Sequence, residues 1–161
     1  SLAESGAALR VELTPEAVLT PGEAMKPAVG YPPAFATDKD GRLALPRREA
    51  PTSVPVAAAG TTSIPVAGGL TAPWFGYGDR RGGYVVVLET PPGWEASLRL
   101  EAEKGKPRTV RPVWTGSPES LGRTLAATLR FTSETGLPGL TRVYQLLKPP
   151  APPAPAGEAS Q

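Results

Sequence analysis

Residues 72–90, APWFGYGDRRGGYVVVLET, carry the reading of this fold. A Trp-Phe run enters a turn rich in glycine and charge, and Tyr84, Val85, Val86, Val87 and Leu88 leave it. Five consecutive apolar residues rich in β-branched valine suit a strand covered on both faces, because a strand with one wet face alternates. The turn sets Tyr77, Asp79, Arg80 and Arg81 at one end of a buried hairpin, where β-domains commonly carry binding surfaces. A strand follows the glycines at 76, 78, 82 and 83. A phosphate loop would need a helix there, so these glycines read as a hairpin loop that uses positive φ.

Working outward, residues 9–14 (LRVELT) alternate apolar and polar, the period of a half-buried strand. Residues 15–33 hold too many prolines and glycines for regular structure, apart from one helical turn over 16–19. TDKDG at 37–41 turns into a short strand, Arg42 to Leu45, that stops at Pro46. Residues 47–63 are polar, Pro-containing and Ala-rich and read as a mobile loop. After the central hairpin, Pro91-Pro92-Gly93 is a turn. Ala96, Leu98, Leu100 and Ala102 then alternate with Ser97, Arg99 and Glu101, and a further strand runs over 109–114. Leu140, Tyr144 and Leu146 share one parity and predict a closing strand. Residues 117–131 fit two readings. Ser117-Pro118-Glu119 with Leu121, Leu125 and Leu129 suits a helix start. Alternation with Thr124, Thr128, Arg130 and Thr132 suits a strand, which the threonines and the β context favour. Short strands separated by turns predict an all-β fold, an antiparallel β-sandwich with long Pro/Gly-rich loops. The expected domain spans 8–147. Residues 1–7 are a flexible N-terminus, and KPPAPPAPAGEASQ (148–161) is a disordered or stiff Pro/Ala tail.

The chain has 161 residues, room for one ordinary domain. It contains no cysteine and no histidine, which removes disulfides, thiolate zinc sites, imidazole ligation and a Ser-His-Asp triad from consideration. The formal net charge is +2, below the basic excess of a nucleic-acid binder. No apolar run reaches the ~18 residues of a membrane span, and no signal peptide is visible. Neither nucleic acid nor membrane is therefore expected as a partner, and the compartment stays open. No cofactor or metal is expected either. Asp38-x-Asp40-Gly41 echoes the start of a calcium loop, but Leu43-Ala44-Leu45-Pro46 stands where further oxygen donors belong.

Two sets of residues suit sugar chemistry. Asp79 and Glu89 flank the hairpin, and a carboxylate pair is what glycoside hydrolysis uses. Trp74, Trp94 and Trp114 offer flat apolar faces of the kind that stack on pyranose rings, although tryptophans in a chain with so few aromatics also serve as core. The candidate glycan contacts are Trp74, Phe75, Tyr77, Asp79 and Trp94.

Read in order, YPPAF (31–35), DGRLALP (40–46), SIPVAGG (63–69), APWFGYGD (72–79), GGYVVVLETP (82–91), RPVW (111–114), LGRTLAATLRF (121–131) and the 140–146 segment resemble a known domain. They are similar to the N-terminal β-supersandwich, galactose-mutarotase-like in fold, that precedes the catalytic barrel in large glycoside hydrolases related to endo-α-N-acetylgalactosaminidases. The resemblance implies that the reacting carboxylates lie on that barrel, so no catalytic residue carries over to this chain. It implies a non-catalytic module or fragment that supports or borders a glycan site, with an oligosaccharide and a parent barrel as partners. The other readings are an independent carbohydrate-binding module and a structural or assembly domain with a Pro-rich tail.

Overall fold

A computed structural model describes residues 8–16, 41–49, 52–55, 62–101 and 109–147. The expected helical turn over 16–19, the TDKDG turn up to residue 40, and the segments 1–7 and 148–161 lie outside these residues, apart from Glu16 itself. The elements are β1 (Ala8–Leu13), β2 (Arg42–Leu45), β3 (Thr52–Pro55), β4 (Thr62–Pro65), β5 (Trp74–Gly78), β6 (Gly83–Glu89), β7 (Trp94–Glu101), β8 (Thr109–Gly116), β9 (Leu125–Thr132) and one helix, α1 (Gly136–Leu147). They form two antiparallel sheets, a six-stranded one in the order β1-β9-β6-β5-β2-β3 and a three-stranded one in the order β4-β7-β8. This is the expected antiparallel sandwich.

Strand β6 sits inside the larger sheet, between β5 and β9. Its alternate side chains enter two different cores. Tyr84, Val86 and Leu88 face the smaller sheet and pack with Phe75, Tyr77, Leu98, Trp114 and Leu129. Val85 and Val87 face the other way and pack with Trp74, Ala44, Leu140 and Val143 under α1. The unbroken apolar run at 84–88 has this cause: one cover is a sheet, the other a helix.

The helix corrects the strand expected over 140–146. Leu137, Leu140, Tyr144 and Leu147 recur at three- and four-residue spacing, a helical stripe, whereas a period of two accounts only for Leu140, Tyr144 and Leu146. Leu146 is exposed, and Leu140 and Val143 are the buried pair. Gly136, with φ +71, starts the helix from a left-handed backbone that suits glycine. Pro138 then falls in the first turn, where its missing N–H costs nothing. Tyr144 stacks on Trp74 with ring centroids 5.5 Å apart. Gly76 of β5 lets the helix come this close. A Cβ on Gly76 would lie 3.1 Å from Leu140 Cδ1 and 3.0 Å from the Tyr84 carbonyl oxygen.

One further segment differs from the sequence reading, and one ambiguous segment is decided. Residues 47–63 contain β3 and the start of β4, strands of four residues too short and proline-bounded to show a period; β2 and β7 supply their pairing. Residues 117–131 follow the favoured strand reading, with Leu125 and Leu129 in a strand and not in a helix. Pro118–Ser120 is a single 3-10 turn, and Leu125–Thr132 is the strand that pairs with β1 and β6. The Pro91-Pro92-Gly93 turn forms, with Gly93 at φ +86.

Leu140→Ala opens a cavity beneath α1 at a position 1% exposed, so it should cost about 2–5 kcal/mol. Gly76→Val should also destabilise by forcing the helix off the sheet. Urea denaturation of both variants checks this; values near zero would mean that α1 is not part of the folded core.

Candidate functional site

The β5–β6 hairpin ends in the four-residue loop Asp79-Arg80-Arg81-Gly82. The Asp79 N–H donates to the Gly82 carbonyl at 2.9 Å, and the Arg81 N–H donates to Asp79 Oδ1 at 2.7 Å, which folds the loop back on its own aspartate. Gly82 has φ +142, and a Cβ there would lie 2.6 Å from the Thr132 carbonyl, so the loop needs a glycine at this place.

Asp79 is 6% exposed, and its Oδ2 takes no hydrogen-bond partner. A buried acceptor left unpaired is costly and uncommon in folded proteins. The residue stands between two clefts. One, of about 250 Å³, is lined by Asp79, Arg81, Gly82, Gly83, Phe131 and Thr132. The other, of about 200 Å³, lies on the helix side and is lined by Asp79 with Arg42, Arg80, Thr135, Gly136 and Leu137 among others. Phe131 is 57% exposed and meets Tyr84 edge-on at 6.3 Å, and Tyr84 stacks on Tyr77 at 5.8 Å. An aromatic ladder thus leads from the core to the rim of the first cleft. An exposed ring, a cation and a carboxylate around one concave surface can hold a polar ring such as a sugar, with its C–H face on the aromatic and its hydroxyls on the charged groups.

The structure distributes the five sequence-chosen residues over different places. Trp74 is covered by α1, and Phe75 and Tyr77 lie in the inter-sheet core; none offers a ring face to solvent. Each belongs to a strand sealed on both sides, which is the reason they cannot serve as a surface platform together. Trp94 is nearly buried, with its indole N–H donating to the Ser120 carbonyl at 3.0 Å. It borders a third cleft of about 470 Å³ with Arg48, Leu70, Leu88 and Thr90. That cleft lies at the Trp74 end of the hairpin, since Trp74 pairs with Val87 and Gly78 with Gly83. Asp79 is therefore about 17 Å from it by strand rise. Trp114 is core, its indole N–H donating to Thr90 Oγ1 at 3.2 Å. Of the five, Asp79 alone lines the clefts at the hairpin tip.

Phe131 is the residue of the candidate site that sequence reading leaves out. It has the parity of Leu125, Ala127 and Leu129 and counts as core on that pattern. The larger sheet extends past the smaller one at this end of β9, and its last inward ring is left uncovered. Glu89 has a structural partner. The Arg10 guanidinium forks onto both Glu89 carboxylate oxygens, one contact at 3.0 Å, and reaches Thr128 Oγ1 at 3.5 Å, tying β1, β9 and β6 together on the outer face. These bonds hold the Glu89 carboxyl below the usual carboxylate range and raise Arg10 further. Among the described residues there is no cluster of three or more metal-binding side chains, and no helix is long and apolar enough to cross a membrane.

The fold is similar to that of solved structures of the α-N-acetylgalactosaminidase NagBb from Bifidobacterium bifidum. The ligand-free enzyme aligns with a TM-score of 0.56 and 16% identity over 74% of this chain and 22% of that one. The complexes with GalNAc and with Gal-NHAc-DNJ each align with a TM-score of 0.60 over 89% of this chain and 24% of theirs, at 16% and 17% identity. This chain thus spans under a quarter of the length of those enzymes, and the likeness is one of fold. No family model matches the sequence, and no curated protein matches it.

Two outcomes follow from the burial and charge described above. All three tryptophans should emit at short wavelength and resist acrylamide in the folded chain, with quenching rising several-fold on denaturation; easy quenching of the native state would place an indole in solvent. A carboxylate with a lowered folded pKa adds stability above its ordinary value and loses it as pH falls through the lowered one. Glu89→Gln should therefore cost about 1 kcal/mol or less near neutral pH, the pair being half-exposed and screened. Urea titrations should show wild type and variant converging as pH falls below the ordinary carboxylate range and Glu89 becomes protonated in both the folded and the unfolded chain.

Proposed function

We propose that this chain is a non-catalytic β-sandwich portion of a glycoside hydrolase, supporting or bordering a glycan site whose catalytic groups lie elsewhere in the parent protein. The observation that carries the reading is the likeness of fold to α-N-acetylgalactosaminidase NagBb, joined to the order of sequence motifs from Tyr31 to Phe131. On this reading residues 8–147 are the sandwich module, residues 1–7 and 148–161 are flanking segments, and the partner is a catalytic barrel. The carboxylate geometry agrees. Asp79 lies beyond one end of β6 and Glu89 at the other, so about 20 Å of strand separates them. Glycosidase pairs stand roughly 5–9.5 Å apart.

A second reading, an independent carbohydrate-binding module, is favoured by one feature: the exposed Phe131 in a cleft that Asp79 and Arg81 also line. Both readings assign sugar contact to the hairpin tip, through Phe131, Asp79 and Arg81.

The test uses the 161-residue chain with an aryl α-N-acetylgalactosaminide for turnover and a GalNAc-terminated oligosaccharide for binding, followed by amide NMR shifts. The expected result is no turnover, with weak shifts at Gly82, Gly83 and Phe131 that vanish in Phe131→Ala. Turnover lost in Asp79→Asn or Glu89→Gln would overturn the non-catalytic assignment. Shifts confined to the Trp94 cleft would move the contact to the opposite end of the sandwich.

A further inference from the structure

Strand β1 closes one side of the larger sheet and, among the described residues, pairs only with β9. Its outer edge therefore presents backbone N–H and C=O groups open to another strand. Edge strands are commonly blunted by proline, lysine or a bulge. ALRVEL contains no proline or lysine, and its register with β9 runs without interruption from Ala8↔Arg130 to Leu13↔Leu125. Leu9, Val11 and Leu13 stand opposite Leu129, Ala127 and Leu125, which face the inter-sheet core, so these three share the inward face. Leu9 is nevertheless 59% exposed, because the smaller sheet does not reach it. Arg10 and Glu12 stand on the outer face.

Two copies pairing β1 antiparallel about a two-fold axis normal to the sheet must keep inward residues opposite inward residues. Only registers that differ by whole pleats are then allowed. One places Arg10 opposite Arg10 of the copy, and another places Glu12 opposite Glu12; both are disfavoured by like charge. The register between them centres on Val11. It sets Arg10 opposite Glu12 twice and Leu9 opposite Leu13 twice, so charge meets opposite charge on one face and the exposed leucine gains an apolar neighbour on the other. Glu12 Oε1 already accepts from Arg10 of its own strand at 2.6 Å, so the pair is held on this face.

We propose that a second copy of this chain is the partner of this edge. Two copies join through β1, centred on Val11, and merge their larger sheets into one. This inference does not depend on the glycan reading.

Sedimentation equilibrium of the full chain should show mass rising from monomer toward dimer with concentration. Glu12→Arg and Arg10→Glu should each weaken association by roughly ten-fold or more. Their equimolar mixture should recover it, because one chain then carries two acids and the other two arginines. Val11→Cys, in a protein with no native cysteine, should form an intermolecular disulfide under mild oxidation: facing Cα atoms in an antiparallel pair are about 4.5–5.5 Å apart, within disulfide reach. Leu9→Cys should not, since its own symmetry mate lies about four residues away along the strand. Should Arg10→Glu fail to fold, Glu12→Arg and Val11→Cys decide the matter. A chain that stays monomeric up to its solubility limit overturns the proposal, as does a dimer indifferent to Glu12→Arg or one that crosslinks through residue 9 in place of residue 11.

Discussion

The rest of this structure depends on the need to keep water off both faces of β6. A strand reading Tyr-Val-Val-Val-Leu cannot turn either side to solvent without exposing large apolar side chains, at about 25 cal/mol for each Å² left wet. The three-stranded sheet covers Tyr84, Val86 and Leu88, and α1 covers Val85 and Val87. The neighbouring strands follow the same division. In β5, Phe75 and Tyr77 face the inter-sheet core, while Trp74 and the small Gly76 face the helix. Large and small residues alternate there because the helix needs room for Leu140 above Gly76.

That constraint explains how much of the fold could be read beforehand. The doubly buried strand announced itself by composition, and the one-sided strands around Val11 and Leu98 by alternation, because each segment holds enough apolar residues to show its period. The helix α1 reads as a strand in sequence because Leu140, Tyr144 and Leu146 also satisfy a period of two over a short window. Only by including Leu137, Val143 and Leu147 does the helical stripe emerge. Strands β3 and β4, at four residues each, carry too few side chains to show a period at all, and pairing with their neighbours defines them.

The candidate site was only partly legible, for a related reason. Residue type pointed to Trp74, Phe75 and Tyr77 because aromatics suit sugars, but the same residues are the ones a doubly covered sheet uses to fill its cores. What remains at the surface is set by where one sheet outreaches the other. At the hairpin tip the larger sheet extends beyond the smaller, leaving Phe131 uncovered next to Asp79. At the β1 edge the same overhang leaves Leu9 uncovered. A six-stranded sheet facing a three-stranded one has a margin, and both candidate contact surfaces lie on it.

Native-state hydrogen exchange, followed residue by residue, tests the dual cover of β6 most directly. If the helix is as much a part of the core as the second sheet, the amides of Val85–Leu88 and those of Leu140 and Val143 should exchange only through global unfolding, with the same opening free energy. The β1 amides, on an edge, should open more easily. Helix amides that exchange through a separate, low-energy opening while β6 stays fully protected would contradict the account: α1 would then be an appendage, and the sandwich alone would be holding the strand.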